Sequence, residues 1–146
     1  MFKSIVWATD GSEHAEKAFS LVQQLAKEGG AKVTIVHAVE RVEGIGGTSS
    51  APRRVDEGEL QEHFKELTEQ LKAEGIDAEL KITGDVGVRP ANEVVKAAKE
   101  ENADLIVAGS RGHSAIGGLL LGSVTNRLLH ISPCPVLVVP PTASGA

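Results

Sequence analysis

The densest chemistry in the chain lies between residues 109 and 125. Gly109-Ser-Arg-Gly112 follows the short apolar run Leu105-Ile-Val-Ala108, and Gly122-Ser-Val-Thr125 opens a stretch of helical spacing. The order is strand, glycine loop, helix start. Gly109 and Gly112 let the backbone turn sharply and approach a ligand closely. Gly122 and Ser123 stand where a helix begins, with amide hydrogens that have no acceptor inside the helix. Such an end attracts phosphate. A buried carbonyl or a water would satisfy the same amides, and glycines in α/β chains often only form turns. Glycine content alone leaves both readings open. A second cluster, Thr9-Asp10-Gly-Ser12, closes the opening apolar segment. Asp10 there either caps the next helix or meets a hydroxyl or a metal ion. Arg111 either draws an anion by its charge or is simply solvated. His37, on a strand, and His113, inside the glycine loop, have no catalytic partner that spacing defines, and lone histidines are more often structural.

The elements that position these residues follow from periodicity. Lys3 to Thr9 is rich in strand formers. From Ala15 the apolar positions Ala15, Ala18, Phe19, Val22, Leu25 and Ala26 fall on one helix face, and Gly29-Gly30 stop it. Lys32 to Val39 reads as a second strand with helices over both faces. Glu40 to Gly58 has no sustained periodicity and reads as a mobile loop or lid. Its fragment Gly44-Ile-Gly-Gly47 follows no strand at tight-turn distance and lacks the later glycine of a dinucleotide fingerprint. Leu60, Phe64, Leu67 and Leu71 form one helical stripe, ended by Gly75. Asp77 to Thr83 alternates as a strand at a sheet edge should. Pro90 opens a third helix whose face is Val94, Val95, Ala97 and Ala98, with Asn102 as a left-handed stop. A fourth strand spans Asp104 to Ala108. The fourth helix runs from about Ser123 with Val124, Leu128 and Leu129 inward, and Val136 to Val139 is a fifth strand. Ile116, Leu119, Leu120 and Leu121 are expected to pack.

Strands alternating with helices in this way predict one α/β domain over 1–140, with a mostly parallel, doubly wound sheet of five strands and four helices, and a loose tail over 141–146. Ligands then bind beyond the carboxyl ends of the strands, where the winding reverses. If strands one and four are neighbours, Thr9 and Asp10 face the glycine loop across one crevice.

Composition narrows the function classes. The 146 residues carry 41% hydrophobic residues and a formal net charge of -5. Neither half is basic, which disfavours nucleic acid and acidic lipid as partners. No apolar run approaches the roughly 20 residues a membrane span needs, and no signal peptide is visible, so a cytoplasmic location is expected. The single cysteine, Cys134, excludes an internal disulfide and a cysteine metal set, and reads as a buried, inert thiol.

The pattern Gly109, two residues, Gly112, nine residues, Gly122 and Ser123 resembles the nucleotide-binding branch of the universal stress protein family. Asp10-Gly-Ser12, His37-Ala38 and Pro133-Cys-Pro-Val-Leu-Val-Val139 extend the resemblance over almost the whole chain. The family implies an ATP-binding, Rossmann-like fold with sheet order 3-2-1-4-5 and a homodimer joined through the last strand, here 136–139. It also implies a role in stress survival. Carried over by position, the resemblance puts Asp10 and the backbone of Ala38 at the adenine and ribose end, Gly109 near the ribose, and Gly112, Gly122, Ser123, Val124 and Thr125 toward the phosphates. Thr9, beside Asp10, and Arg111, a position that the family pattern does not fix, are further candidates for the same site from their own chemistry. ATP is the implied cofactor, with Mg possible at Asp10. The stretch Gly87-Val-Arg-Pro90 is one residue longer than the family's usual glycine-to-proline spacing. No Walker lysine follows the glycines and no arginine finger or base is assigned, which argues against rapid hydrolysis. The expected function is a nucleotide-dependent stress regulator. The competing readings are a nucleotide-independent dimeric interaction module and a slow Mg-dependent ATP hydrolase.

Overall fold

β-Branched and apolar runs form the central strands because these are covered on both faces, and the amphipathic segments between the strands supply the covers. In the computed structural model, residues 1–11, 13–39, 57–84, 87–110 and 122–140 are described. The elements are β1 (Ser4–Thr9), α1 (Glu13–Gly29), β2 (Lys32–Ala38), α2 (Glu57–Ala73), β3 (Ala78–Thr83), α3 (Pro90–Glu100), β4 (Leu105–Gly109), α4 (Ser123–Ile131) and β5 (Val136–Val139). They build one sheet of order β3-β2-β1-β4-β5. Every pairing is parallel, so the sheet is wholly rather than mostly parallel. β3 lies at an edge, as its alternation predicts.

Side chains alternate across the sheet and divide the core in two. Ile5, Trp7, Val33, Ile35, Leu105 and Val107 pack with α1 and α2 residues such as Phe19, Val22, Phe64 and Leu71 on one face. Val6, Val36, Ile106 and Ala108 pack with Ala91, Val94, Ala98 and Leu128 of α3 and α4 on the other. The winding therefore reverses between β1 and β4.

Several boundaries and orientations differ from expectation; Lys3, Val39 and Asp77 lie just outside β1, β2 and β3. α2 begins at Glu57, so Glu57 and Gly58 belong to a helix rather than to a loop over 40–58; Glu57 and Glu59 place negative charge in its first turn, where the helix dipole favours it. Leu129 is 48% exposed rather than inward, because Leu128 and Thr125 take the buried face and the next side chain turns about 100° away. Asp104 precedes β4 rather than starting it. Cys134 is only half-buried, with its thiol pushed up mainly by burial. Asn102 does adopt the left-handed conformation, with φ 53°. Residues 40–56, Ser12, Arg111, Gly112, His113, Ile116, Leu119 to Leu121, the tail 141–146 and the side chain of Ala15 lie outside the described residues. No described helix is long and apolar enough to cross a membrane.

The amino end of the sheet is tied by charge. Asp104 accepts hydrogen bonds from the backbone N–H groups of Lys3 (2.9 Å) and Ser4 (3.1 Å). Burial alone would raise its carboxyl, but these N–H groups and the terminal ammonium outweigh it and hold the group low. Beyond the end of α3, Glu101 receives Lys32 Nζ at 2.8 Å and Lys81 Nζ at 2.9 Å. The bond from Lys32 is the main reason that Glu101 lies below its ordinary 4.5, and the same bond raises Lys32 above 10.5. A depressed carboxyl stabilises above its unfolded value and loses that contribution as pH falls. A raised ammonium stabilises below its unfolded value and loses that contribution as pH rises. Glu101→Ala is therefore expected to cost about 1 kcal/mol, as networked ion pairs do, throughout the window between 4.5 and 10.5. Urea denaturation of both proteins across pH checks this: the difference must shrink on either side of that window.

Candidate functional site

The carboxyl ends of β1 and β4 are neighbours, with Ala8 paired to Ala108 and Trp7 to Val107. Thr9 and Gly109 are the next residues on each strand, so the two clusters singled out in the sequence flank the point where the winding reverses. Ligands of doubly wound folds bind at this position.

On the β1 side, Gly11 donates its N–H to Thr9 Oγ1 at 3.1 Å, closing a tight turn around Asp10. Gly11 has φ +84°, and a Cβ there would come within 2.6 Å of Leu60 Cδ2. The turn therefore needs glycine for its backbone and for the close cover by α2. On the β2 side, Ala38 ends its strand half-buried and pairs in register with Thr83.

On the β4 side, the chain leaves at Ser110 and returns at Gly122, whose N–H donates to the Ser110 carbonyl at 2.7 Å. Ser110 is itself buried and donates its N–H to the Val139 carbonyl at 3.0 Å. Three residues into α4, Thr125 donates its hydroxyl to the Gly109 carbonyl at 2.6 Å. The first turn of α4 is thus pinned against the end of β4 at two points. Gly122 is its N-cap and, being glycine, brings no side chain to cap it; among the described residues no side-chain cap bond is made. The N–H groups of Ser123 and Val124 consequently have no intrahelical acceptor. This supplies donors and a positive dipole end beside the crevice, which is the chemistry that holds phosphate.

A model of the universal stress protein family matches residues 1–140. The chain belongs to the universal stress protein family. Among curated relatives, a universal stress protein of Thermus aquaticus is 38% identical over 145 residues, covering 95% of this chain and 99% of that one. Among solved structures, a universal stress protein in complex with cAMP superimposes with a TM-score of 0.68 at 29% identity, covering 94% of this chain and 96% of that one. The universal stress protein of Archaeoglobus fulgidus in complex with dAMP gives a TM-score of 0.67 at 26% identity, with 94% and 97% coverage. The five-stranded order β3-β2-β1-β4-β5 is the one that the family resemblance implies.

In this universal stress protein the fold brings Thr9, Asp10, Ala38, Gly109, Gly122, Ser123, Val124 and Thr125 to one edge of the sheet. Arg111 and Gly112 fall outside the described residues. Thr125 is 5% exposed and its hydroxyl donates to the Gly109 carbonyl, so its side chain holds the first turn of α4 against β4. Ser123 is exposed at the helix end. Among the described residues no group of three or more His, Cys, Asp or Glu side chains is placed to hold a metal.

Two residues at this edge escaped the sequence reading. Ser110 closes the excursion 111–121 through its backbone, which no residue type announces. His37, read as merely structural, contacts both Thr9 and Glu57. Nineteen residues, all but the first two without periodicity, separate His37 from Glu57, so no spacing could have paired them.

Proposed function

We propose that this universal stress protein binds ATP in the β1/β4 crevice and works as a nucleotide-dependent regulator of a stress response. The observation that carries the reading is the uncapped first turn of α4, held by Gly122 and Thr125 against β4 and next to the Thr9–Asp10 turn. The N–H groups of Ser123 and Val124 are matched to phosphate oxygens, Asp10 to ribose hydroxyls, and the backbone at Ala38 to the adenine edge. Relatives solved with cAMP and dAMP support an adenine nucleotide as the ligand class. Asp10 is the one side chain in our assignment offered to Mg. An ion held there would take its remaining ligands from the phosphates and water, as Mg in nucleotide sites does. Among the described residues β5 pairs with β4 alone, and Leu137 on it is 37% exposed. We assign that edge to a homodimer contact.

Calorimetric titration of the nucleotide-free protein with ATP and magnesium, and separately with AMP and cAMP, tests the reading. Binding with Kd in the micromolar range, about -8 kcal/mol at 1 μM, is expected, with ATP tightest. No heat at millimolar ATP would overturn it and leave the dimeric interaction module.

A further inference from the structure

His37 is 3% exposed, and both of its ring nitrogens are engaged. The strand alternation turns it toward the layer of α1 and α2, where its ring lies against Phe64 with centroids 4.9 Å apart. Nδ1 stands 3.2 Å from the Thr9 carbonyl, and Nε2 stands 2.8 Å from Glu57 Oε2. A carbonyl oxygen only accepts, so Nδ1 donates to it. The second bond joins Nε2 to the Glu57 carboxyl group. Glu57 is oriented from its own helix by Gln61, whose Nε2 donates to the same oxygen at 3.3 Å.

The position of the acceptor on β1 gives this chain of contacts its consequence. The Thr9 carbonyl and the Asp10 N–H belong to one planar peptide unit. Holding the carbonyl fixes the tilt of that unit, and with it the direction in which Asp10 leaves the strand. The residue after His37 is Ala38, the other assigned contact at this end of the crevice. One side chain therefore joins the end of β1, the end of β2 and the first residue of α2. Leu60, one turn further along α2, presses on Gly11 from the same helix.

We infer that His37 is a positioning residue. It sets the Thr9–Asp10 peptide at the crevice and couples that peptide to the first turn of α2, so that filling the crevice and seating α2 favour each other. The inference rests on the nucleotide reading for its ligand, while the mechanical link stands without one. Coupling of this kind is reciprocal, since a contact that steadies the binding edge is itself steadied by binding.

The test uses Glu57→Ala, Glu57→Gln, His37→Gln and the double variant His37→Gln/Glu57→Ala in the full chain, each checked for folding by circular dichroism. Two quantities are read: ATP affinity by calorimetry, and hydrogen exchange at the Asp10 and Gly11 amides without nucleotide. Glu57→Ala is expected to speed that exchange and weaken ATP binding by about fivefold each, the lower end for coupled sites. Glu57→Gln, which keeps an acceptor oxygen, should restore both to within about twofold. In the His37→Gln background Glu57→Ala should add nothing, because the link is already cut. Unchanged exchange at Asp10 and Gly11 in Glu57→Ala, or effects that simply add in the double variant, would overturn the coupling. If wild type binds no ATP, the nucleotide reading falls and the exchange data alone decide the link. If His37→Gln does not fold, the two Glu57 variants carry the test.

Discussion

Replacing Gly122 with valine is expected to weaken nucleotide binding at least about a hundredfold while leaving the chain folded. Gly122 sits at φ -73° and ψ 164°, an extended conformation that any residue adopts and that β-branched residues favour. Both of its backbone bonds survive the change, since the N–H still donates to Ser110 and the carbonyl still accepts from Asn126. Valine is a poorer N-cap than glycine, which costs about 1 kcal/mol of stability. That is small against the 5–15 kcal/mol of a typical domain, given as an approximate range. On the proposed nucleotide reading, the added side chain at the N-cap is expected to crowd the approach of a phosphate to the N–H groups of Ser123 and Val124. Hydrogen bonds to a charged acceptor contribute about 1.5–3 kcal/mol each, so losing both reaches the hundredfold effect at about 1.4 kcal/mol per factor of ten. Calorimetric titration of wild type and variant with ATP and magnesium, paired with thermal melts, reads both quantities. A folded variant that binds like wild type would move the phosphates away from α4.

Trp7→Ala should give the largest loss of stability. Trp7 is fully buried at the centre of β1, between Ile35 on β2 and Val107 on β4, with the Phe19 ring 5.6 Å away. Truncating an aromatic residue in such a place costs about 3–5 kcal/mol, because close-packed neighbours on two strands cannot collapse into the void. Among the described residues the buried indole Nε1 has no hydrogen-bond partner, a standing cost of about 1–3 kcal/mol. Trp7→Phe removes that unpaired donor along with some volume, so it should change stability by no more than about 1 kcal/mol. Urea unfolding followed by far-ultraviolet circular dichroism separates the two variants. Trp7 is the chain's single tryptophan, so its own fluorescence follows unfolding of wild type. A loss below about 1 kcal/mol for Trp7→Ala would contradict a central role in the core. The effect reaches function because β1 carries Thr9 and Asp10: a strand that loosens at its middle presents its end less firmly.

The elements were legible because their periods are strong. The stripe Leu60, Phe64, Leu67, Leu71 and the β-branched run of β2 leave few alternatives, and Pro90 and Asn102 mark the ends of α3 by backbone restriction alone. Spacing was equally informative at the glycine loop, where the four positions from Gly109 to Ser123 carry the family pattern. Errors fell where a local signal competes with tertiary context. Leu129 is as apolar as Leu128, yet a helix on one side of a sheet buries only one face, and Leu129 lies off it. Glu57 and Gly58 look like loop residues by composition, but α2 extends back to them.

The strands and helices, their order along the chain and the family depend on periodicity, breakers and motif spacing within short windows, so the residues alone announce them. Which atoms meet at the crevice depends on the fold. Thr125 turned out to spend its hydroxyl on Gly109, Ser110 to close the loop onto Gly122, and His37 to join Thr9 to Glu57. Each of these contacts links residues brought together by strand order and helix packing, and hydrogen-bond partnerships set by three-dimensional proximity leave no trace in local spacing.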